Sequence, residues 1–164
     1  MKDLNISRKT ILIRPPIHLG GLESILDSFN VKNLIIPEFS DINLYGEVDK
    51  NGTNLVKLQQ GDQFKVGDVV INVLSPSKKY ENNNSVLCKL TYKDFSMLLT
   101  RDIEKEVEEL VLKEGVDLDR DVLKVVHHGS DTSSTEEFIK AVLPEVAVVS
   151  VGKNNFGHPS FGSF

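Results

Sequence analysis

The sequence predicts an α/β domain with helices packed on the outside of one or two mixed sheets. Two observations carry that expectation. Short apolar runs bounded by proline, glycine or polar turns alternate with stretches whose apolar residues recur at helical spacing. The middle of the chain, in contrast, reads as consecutive hairpin strands. At 164 residues, 1–164 reads as a single domain, able to bury roughly two-thirds of the surface its unfolded form exposes.

In chain order, "TILI" (10–13) is a short strand stopped by Pro15 and Pro16. "GGLESILDSF" places Leu22, Ile25, Leu26 and Phe29 on one helical stripe opened by glycines. "VKNLIIP" is a buried strand ended by Pro37, and the polar segment from about 40 to 52 closes in the turn "DKNGTN". "DQFKVGDVVINVLSPS" forms two strands around "GD", and "SVLCKLTY" and "FSMLLT" form a hairpin around "KD". "IEKEVEELVLK" (103–113) is an amphipathic helix with Ile103, Val107, Leu110 and Val111 inward and Gly115 as its stop. "VLKVV" is a strand, "STEEFIKAVL" a helix with a Ser/Thr cap and a capping-box glutamate, and "VAVVSV" a buried strand.

The composition, 40% hydrophobic and 26% charged, is that of a soluble globular protein. No apolar stretch approaches the roughly 20 residues of a membrane span. The opening "MKDLNISRKT" lacks the basic-then-apolar pattern of a secretion signal, so a cytoplasmic placement is the default expectation. The single cysteine, Cys88, excludes an internal disulfide and a cysteine-rich zinc site, and reads as a buried strand residue. A net charge of −5 argues against non-specific nucleic-acid binding by the whole domain, although metal ions could supply a local positive field. The acids cluster in "DIEKEVEELVLKEGVDLDRD", which reads mostly as a solvated helix face.

The residues that could carry chemistry are four histidines and one aspartate. His18, His127, His128 and His158 each border an apolar run and neighbour glycine or proline, in "IHLGGL", "VVHHGS" and "FGHPS". One such histidine is more often structural. Several at strand ends, where α/β folds assemble their sites, weaken that reading. Asp102 ends an apolar strand just before a helix, where it could cap the helix or join the imidazoles in an N/O site for zinc, manganese or iron. Such a metal site hydrolyses by activating a water and polarising the bond attacked. Nucleophilic catalysis fits less well, since Ser130 adjoins His128 on one loop and no G-x-S-x-G elbow is present. No phosphate-cradling glycine motif occurs either.

The segments "HLGGLESILDSFNVKNLIIPE", "GDQFKVGDVVINVLSPS", "ENNNSVLCKLTYKDFSMLLTRDIEKEVEELVL", "DVLKVVHHGSDTSSTEEFIKAVLPEVAVVSVGKNN" and "GHPS" occur in an order that resembles a known family. It is the metallo-β-lactamase-fold domain of ComEC-type DNA-uptake (competence) proteins and their soluble relatives, and the resemblance spans about residues 18 to 160. It implies a four-layer αββα sandwich with one or two metal ions, zinc or manganese, at the sheet edges. It implies a metal-dependent hydrolase acting on DNA or another phosphodiester. By resemblance His18, Asp102 and His127 are metal ligands, and Asp102, His127 and His128 form the catalytic centre. His128, Ser130 and His158 would line the substrate cleft, with "NNNS" (82–85) at its rim or serving as a simple turn.

The departures from the family pattern are as informative as the matches. Aligned on His18, the two earlier histidines and the aspartate of H-x-H-x-D-H fall on Ile13, Pro15 and Ile17, none of which can ligate a metal through its side chain. The glycine of T-G-D is Arg101, a cation beside the expected metal aspartate. The family's opening strand pair has no counterpart before residue 18, and the family continues into a helix beyond "GHPSFGSF". The expectation is a version incomplete at both ends with an impaired metal site. The other reading is a catalytically inactive remnant or binding module. An open sheet edge would invite a partner chain or self-association.

Overall fold

Strand β3 (Asn33–Pro37) carries Leu34, Ile35 and Ile36 in succession, all fully buried. Successive strand side chains point to opposite faces, so such a run needs apolar cover on both sides. In the computed structural model, which describes residues 3–5, 10–12, 22–39, 52–75 and 85–160, both covers are present. Leu34 and Ile36 pack with Leu22 and Leu26 of helix α1 (Leu22–Ser28), whereas Ile35 packs with Phe64, Val73 and Cys88 of a second sheet. The expectations on Ile13, Pro15, Ile17, His18 and Asn82 to Asn84 lie outside the described residues.

The smaller sheet has the order β2 (Thr10–Leu12), β3, β4 (Asn54–Leu58), all parallel. The larger sheet contains β1 (Asp3–Asn5), β5 (Gln63–Val66), β6 (Val69–Ser75), β7 (Leu87–Tyr92), β8 (Phe95–Leu99), β9 (Val122–Lys124) and β10 (Val146–Val148). Its order is β1-β5-β6-β7-β8-β9-β10, antiparallel from β5 to β8 and parallel at β1, β9 and β10. Its outer face, through Leu87, Leu98 and Leu123, packs on Val107 and Val111 of α2 (Lys105–Lys113) and on Phe138 and Val142 of α3 (Glu136–Val142). Adjacent residues on β8 divide the same way, Leu98 joining that outer core and Leu99 the core between the sheets. The layers run α1, small sheet, large sheet, α2 with α3: the αββα sandwich.

Most local signals act as the residues suggest. The β7–β8 hairpin turns at Lys93 and Asp94, with Tyr92 opposite Phe95. Helix α2 ends in a Schellman motif, in which Gly115 N–H donates to the Leu112 carbonyl and Val116 N–H to that of Val111. Gly115 takes φ +66°, a conformation that costs glycine little. Cys88 is buried in the inter-sheet core, and burial pushes its thiol up to about 12, against a smaller opposing pull from the Arg101 charge. We expect the native protein to resist alkylation at neutral pH and to label once unfolded, as mass spectrometry would read. Rapid labelling of native protein would show Cys88 to be accessible.

Three expectations are corrected. Ile25 on α1 and Phe29 just past its end face solvent, because this short helix lays only Leu22 and Leu26 on the sheet. The run "VAVVSV" is not a buried strand, since β10 is an edge strand with Val146 and Val148 exposed at 52% and 45%. The acidic stretch keeps its mostly solvated face, with Asp102 and Glu108 as its buried acids. The cap of α3 is Thr135, whose hydroxyl accepts from Phe138 N–H, so the local glutamates miss the capping-box position. Finally, β1 lies ahead of the first strand expected from the sequence and pairs with β5, while β2 pairs with β3.

Candidate functional site

Strands β8, β9 and β10 are parallel neighbours, so their carboxyl ends open on one edge of the large sheet. The chain leaving β8 carries Arg101 and Asp102, that leaving β9 carries His127 and His128, and that leaving β10 carries Ser150 and the loop to Ser160. Thr100 Oγ1 donates to the Lys124 carbonyl at 2.7 Å, and His127 N–H donates to the Arg101 carbonyl at 2.8 Å. These bonds lock the first two segments side by side.

The backbone at this edge is strained. Arg101, His127 and His128 have φ of +51°, +45° and +57°, and Gly129 follows at +80°. A left-handed conformation costs a non-glycine residue about 1–2 kcal/mol, and such outliers cluster at functional sites. Val125 and Val126 are buried just before the turn, so the chain must reverse sharply to set both imidazoles at the edge. Gly129 N–H to the Val126 carbonyl (2.9 Å) and Ser130 N–H to that of His127 (3.0 Å) close the reversal. We expect Arg101→Gly to stabilise the fold by about 1 kcal/mol in chemical denaturation by relieving this conformation. A loss of stability instead would show that the Arg101 side chain contributes more than its backbone strain costs.

His128 Nδ1 lies 2.5 Å from the Ser150 carbonyl, an acceptor only, so this nitrogen donates to it. The bond fixes the ring with Nε2 turned to Asp102, 3.5 Å from Oδ1. His127 instead lies beside Glu104, with Nδ1 3.9 Å from Oε1, and its ring is 5.8 Å from that of His158. The cap reading of Asp102 does not hold, because the N-cap of α2 is Glu104 and Asp102 sits buried ahead of it. Ser130 is buried, and its Oγ lies 3.0 Å from Thr132 Oγ1. A cavity of about 470 Å³ adjoins the edge, lined by His128, Ser150, Lys153, Asn154, Phe156 and His158.

Two contributors were not singled out from the sequence. Glu104 reaches His127, and the only local hint is its D-x-E spacing from Asp102. Glu108 accepts from Ser134 N–H at 2.6 Å and Thr135 N–H at 2.8 Å, holding the far end of the histidine loop from a neighbouring helix. Ser134 is itself left-handed, at φ +61°.

No family model matches the chain. Over 151 residues the chain is 36% identical to ComE operon protein 3 of Bacillus subtilis, covering 87% of this chain and 20% of that protein. Over 141 residues it is 30% identical to Recombination protein 2 of Haemophilus influenzae, covering 84% of this chain and 17% of that protein. The metallo-β-lactamase fold protein YhfI of B. subtilis superposes with a TM-score of 0.55 at 11% identity, over 87% of this chain and 67% of YhfI. The chain belongs to the ComEC-type family of metallo-β-lactamase-fold domains. It spans a fifth or less of these two longer relatives.

In this ComEC-type domain the first metal motif, residues 13 to 18, lies outside the described residues, which hold the later donors Asp102, His127, His128 and His158. Among the described residues, no group of three or more His, Cys, Asp or Glu side chains comes together as a metal site. A metal centre needs three or more ligands. Asp102 and His128 face one another, and His127 is turned toward Glu104 and His158. The described donors alone do not make up a one- or two-metal centre, and His18 lies outside the described residues.

Proposed function

We propose that this ComEC-type domain engages phosphodiesters, with DNA handled during uptake as the biological substrate, and that its metal-dependent hydrolysis is impaired. The observation that carries this reading is the carboxyl edge of β8–β10, which gathers Asp102, His127, His128 and His158 beside an open cavity but pairs Asp102 with a histidine. His18, Asp102 and His127 are the positions that would hold zinc or manganese. A bound ion would supply electrophilic polarisation of the diester. The motif positions before His18 are Ile13, Pro15 and Ile17, and Arg101 adds a positive charge next to Asp102, which disfavours a dication there by Coulomb repulsion.

The chain's own residues do the remaining work. Asp102 and the Ser150 carbonyl hold the His128 ring from both sides, so it presents to the cavity in one orientation. His158 forms the opposite contact with His127, and Ser130 supports the turn from below through Thr132. This arrangement sets the His128 and His158 rings in fixed orientations along the cavity in which a diester would lie. The proposed catalytic residues are Asp102, His127 and His128 and the proposed substrate residues His128 and His158, while Ser130, expected at the cleft, is buried beneath the turn and does not line the cavity.

The test is turnover of a chromogenic diester and of single-stranded DNA with added manganese or zinc. Three proteins are compared: this chain, Asp102→Ala, and a variant carrying Ile13→His, Pro15→His, Ile17→Asp and Arg101→Gly. We expect negligible turnover by the first two and partial recovery in the third. Robust turnover by the unmodified chain that disappears in Asp102→Ala would overturn the impaired-site reading. A second reading, a binding module without hydrolysis, is favoured by the same pairing of Asp102 with His128. Diester binding that persists in chelator, with no turnover even in the restored variant, would select it. We also propose self-association across the open β10 edge, which Val148→Lys should weaken in sedimentation experiments.

A further inference from the structure

The loop from Ser150 to Ser160 displays an aromatic ring to solvent on a tied backbone. Phe156 is 82% exposed, the most exposed of the large apolar side chains described. An exposed ring offers a flat apolar face on which another planar group can stack. The loop that carries it is pinned. Asn154 Oδ1 accepts from Phe156 N–H (2.9 Å) and His158 N–H (3.2 Å), and its Nδ2 donates to the Gly152 (2.9 Å) and His158 (2.8 Å) carbonyls. Ser160 N–H then donates to the Gly129 carbonyl at 2.8 Å, fastening the loop to the histidine turn. Gly157 at φ +76° lets the chain double back, bringing the His158 ring to 6.1 Å from Phe156 at an interplanar angle of 24°.

The result is a row of rings, Phe156, His158 and His127, running from solvent to the strained turn. Phe156 and His158 line the same cavity as His128 and Lys153. A flat ring, a cation and an oriented imidazole around one cavity match the parts of a nucleotide, in which a planar base sits one sugar away from its phosphate. Aromatic side chains stack on any base face, and lysine neutralises the adjoining phosphate.

Resting on the phosphodiester reading above, we propose that Phe156, stacked on His158, is a positioning residue that holds an unpaired base at the rim of the His128 cavity, with Lys153 meeting the adjoining phosphate. Binding would then depend on the base as well as on the backbone charge. A strand lacking bases would keep the Lys153 contact and lose the ring contact.

The experiment measures binding of a fluorescently labelled thymidine oligomer, and of the same oligomer with abasic sites, by anisotropy at fixed salt and without added metal. The proteins are the full chain, Phe156→Ala and Phe156→Tyr. We expect Phe156→Ala to weaken binding of the thymidine strand about ten-fold, the scale of one lost stack. Abasic binding should be unchanged, and Phe156→Tyr should restore the thymidine affinity. Because Phe156 is exposed, its removal should leave the unfolding curve in place. Equal weakening of both strands, or no effect on either, would overturn the platform while leaving the phosphodiester reading standing. Failure of the full chain to bind either strand would overturn both.

Discussion

Glu108→Ala should lower the stability of the domain by about 3 kcal/mol, because each buried N–H it strands costs roughly 1–3 kcal/mol. Glu108 is fully buried on α2, and its two oxygens take the Ser134 and Thr135 N–H groups, which lie at the start of α3. In an ordinary capping box a glutamate three residues into the same helix accepts from the N-cap N–H. Here the glutamate comes from another helix, so one side chain fastens α2 to α3 and both to the loop containing His127 and His128. Glu108→Gln keeps the shape but turns an amide NH₂ toward one donor, and should recover only part of the loss. Denaturant titration of the three proteins checks this. A loss under about 1 kcal/mol in Glu108→Ala would mean that water or a local rearrangement satisfies both groups.

Phe138→Ala should cost about 4 kcal/mol, within the 3–5 kcal/mol usual for removing a buried phenylalanine. Phe138 is wholly buried in the outer core, with Leu87, Leu98 and Leu123 of the large sheet and Val107 of α2. Its removal opens a cavity where both helices meet the sheet. The smaller truncation Phe138→Leu should lose less, as thermal or chemical unfolding would show. Equal losses in the two variants would point to a specific ring contact in place of packing volume.

How far the molecule was legible in the sequence follows from the range of each interaction. The β7–β8 hairpin and the Schellman stop at Gly115 rest on neighbours within a few positions, and the unbroken apolar run of "NLIIP" signals burial on both faces; each forms as expected. Helix α1 shows the limit of that approach. Ile25 and Phe29 share the helical stripe, but a helix this short touches the sheet along one line, and they fall to its side. "VAVVSV" has the apolar content of a central strand, and only the strand order reveals that β10 lies at an edge. Glu108 and Glu104 look like their solvated neighbours, since their partners lie 26 and 23 positions away along the chain.

The candidate site divides in the same manner. Strand-end placement brings Asp102, His127, His128 and His158 to one edge, a result of parallel β8, β9 and β10 that local patterns anticipate. Which histidine meets the aspartate depends on two consecutive left-handed residues, a conformation not encoded by composition. Arg101 at φ +51° gives a physical reason for the glycine that the family motif carries there.

Metal content decides whether the proposed phosphodiester edge, whose described residues bring no three ligands together, holds an ion. The chain purified without chelator, extensively dialysed and analysed by inductively coupled plasma mass spectrometry, should hold well under about one equivalent of zinc or manganese, since a stable centre needs three or more converging ligands. Retention of close to two equivalents, lost in Asp102→Ala, would contradict it.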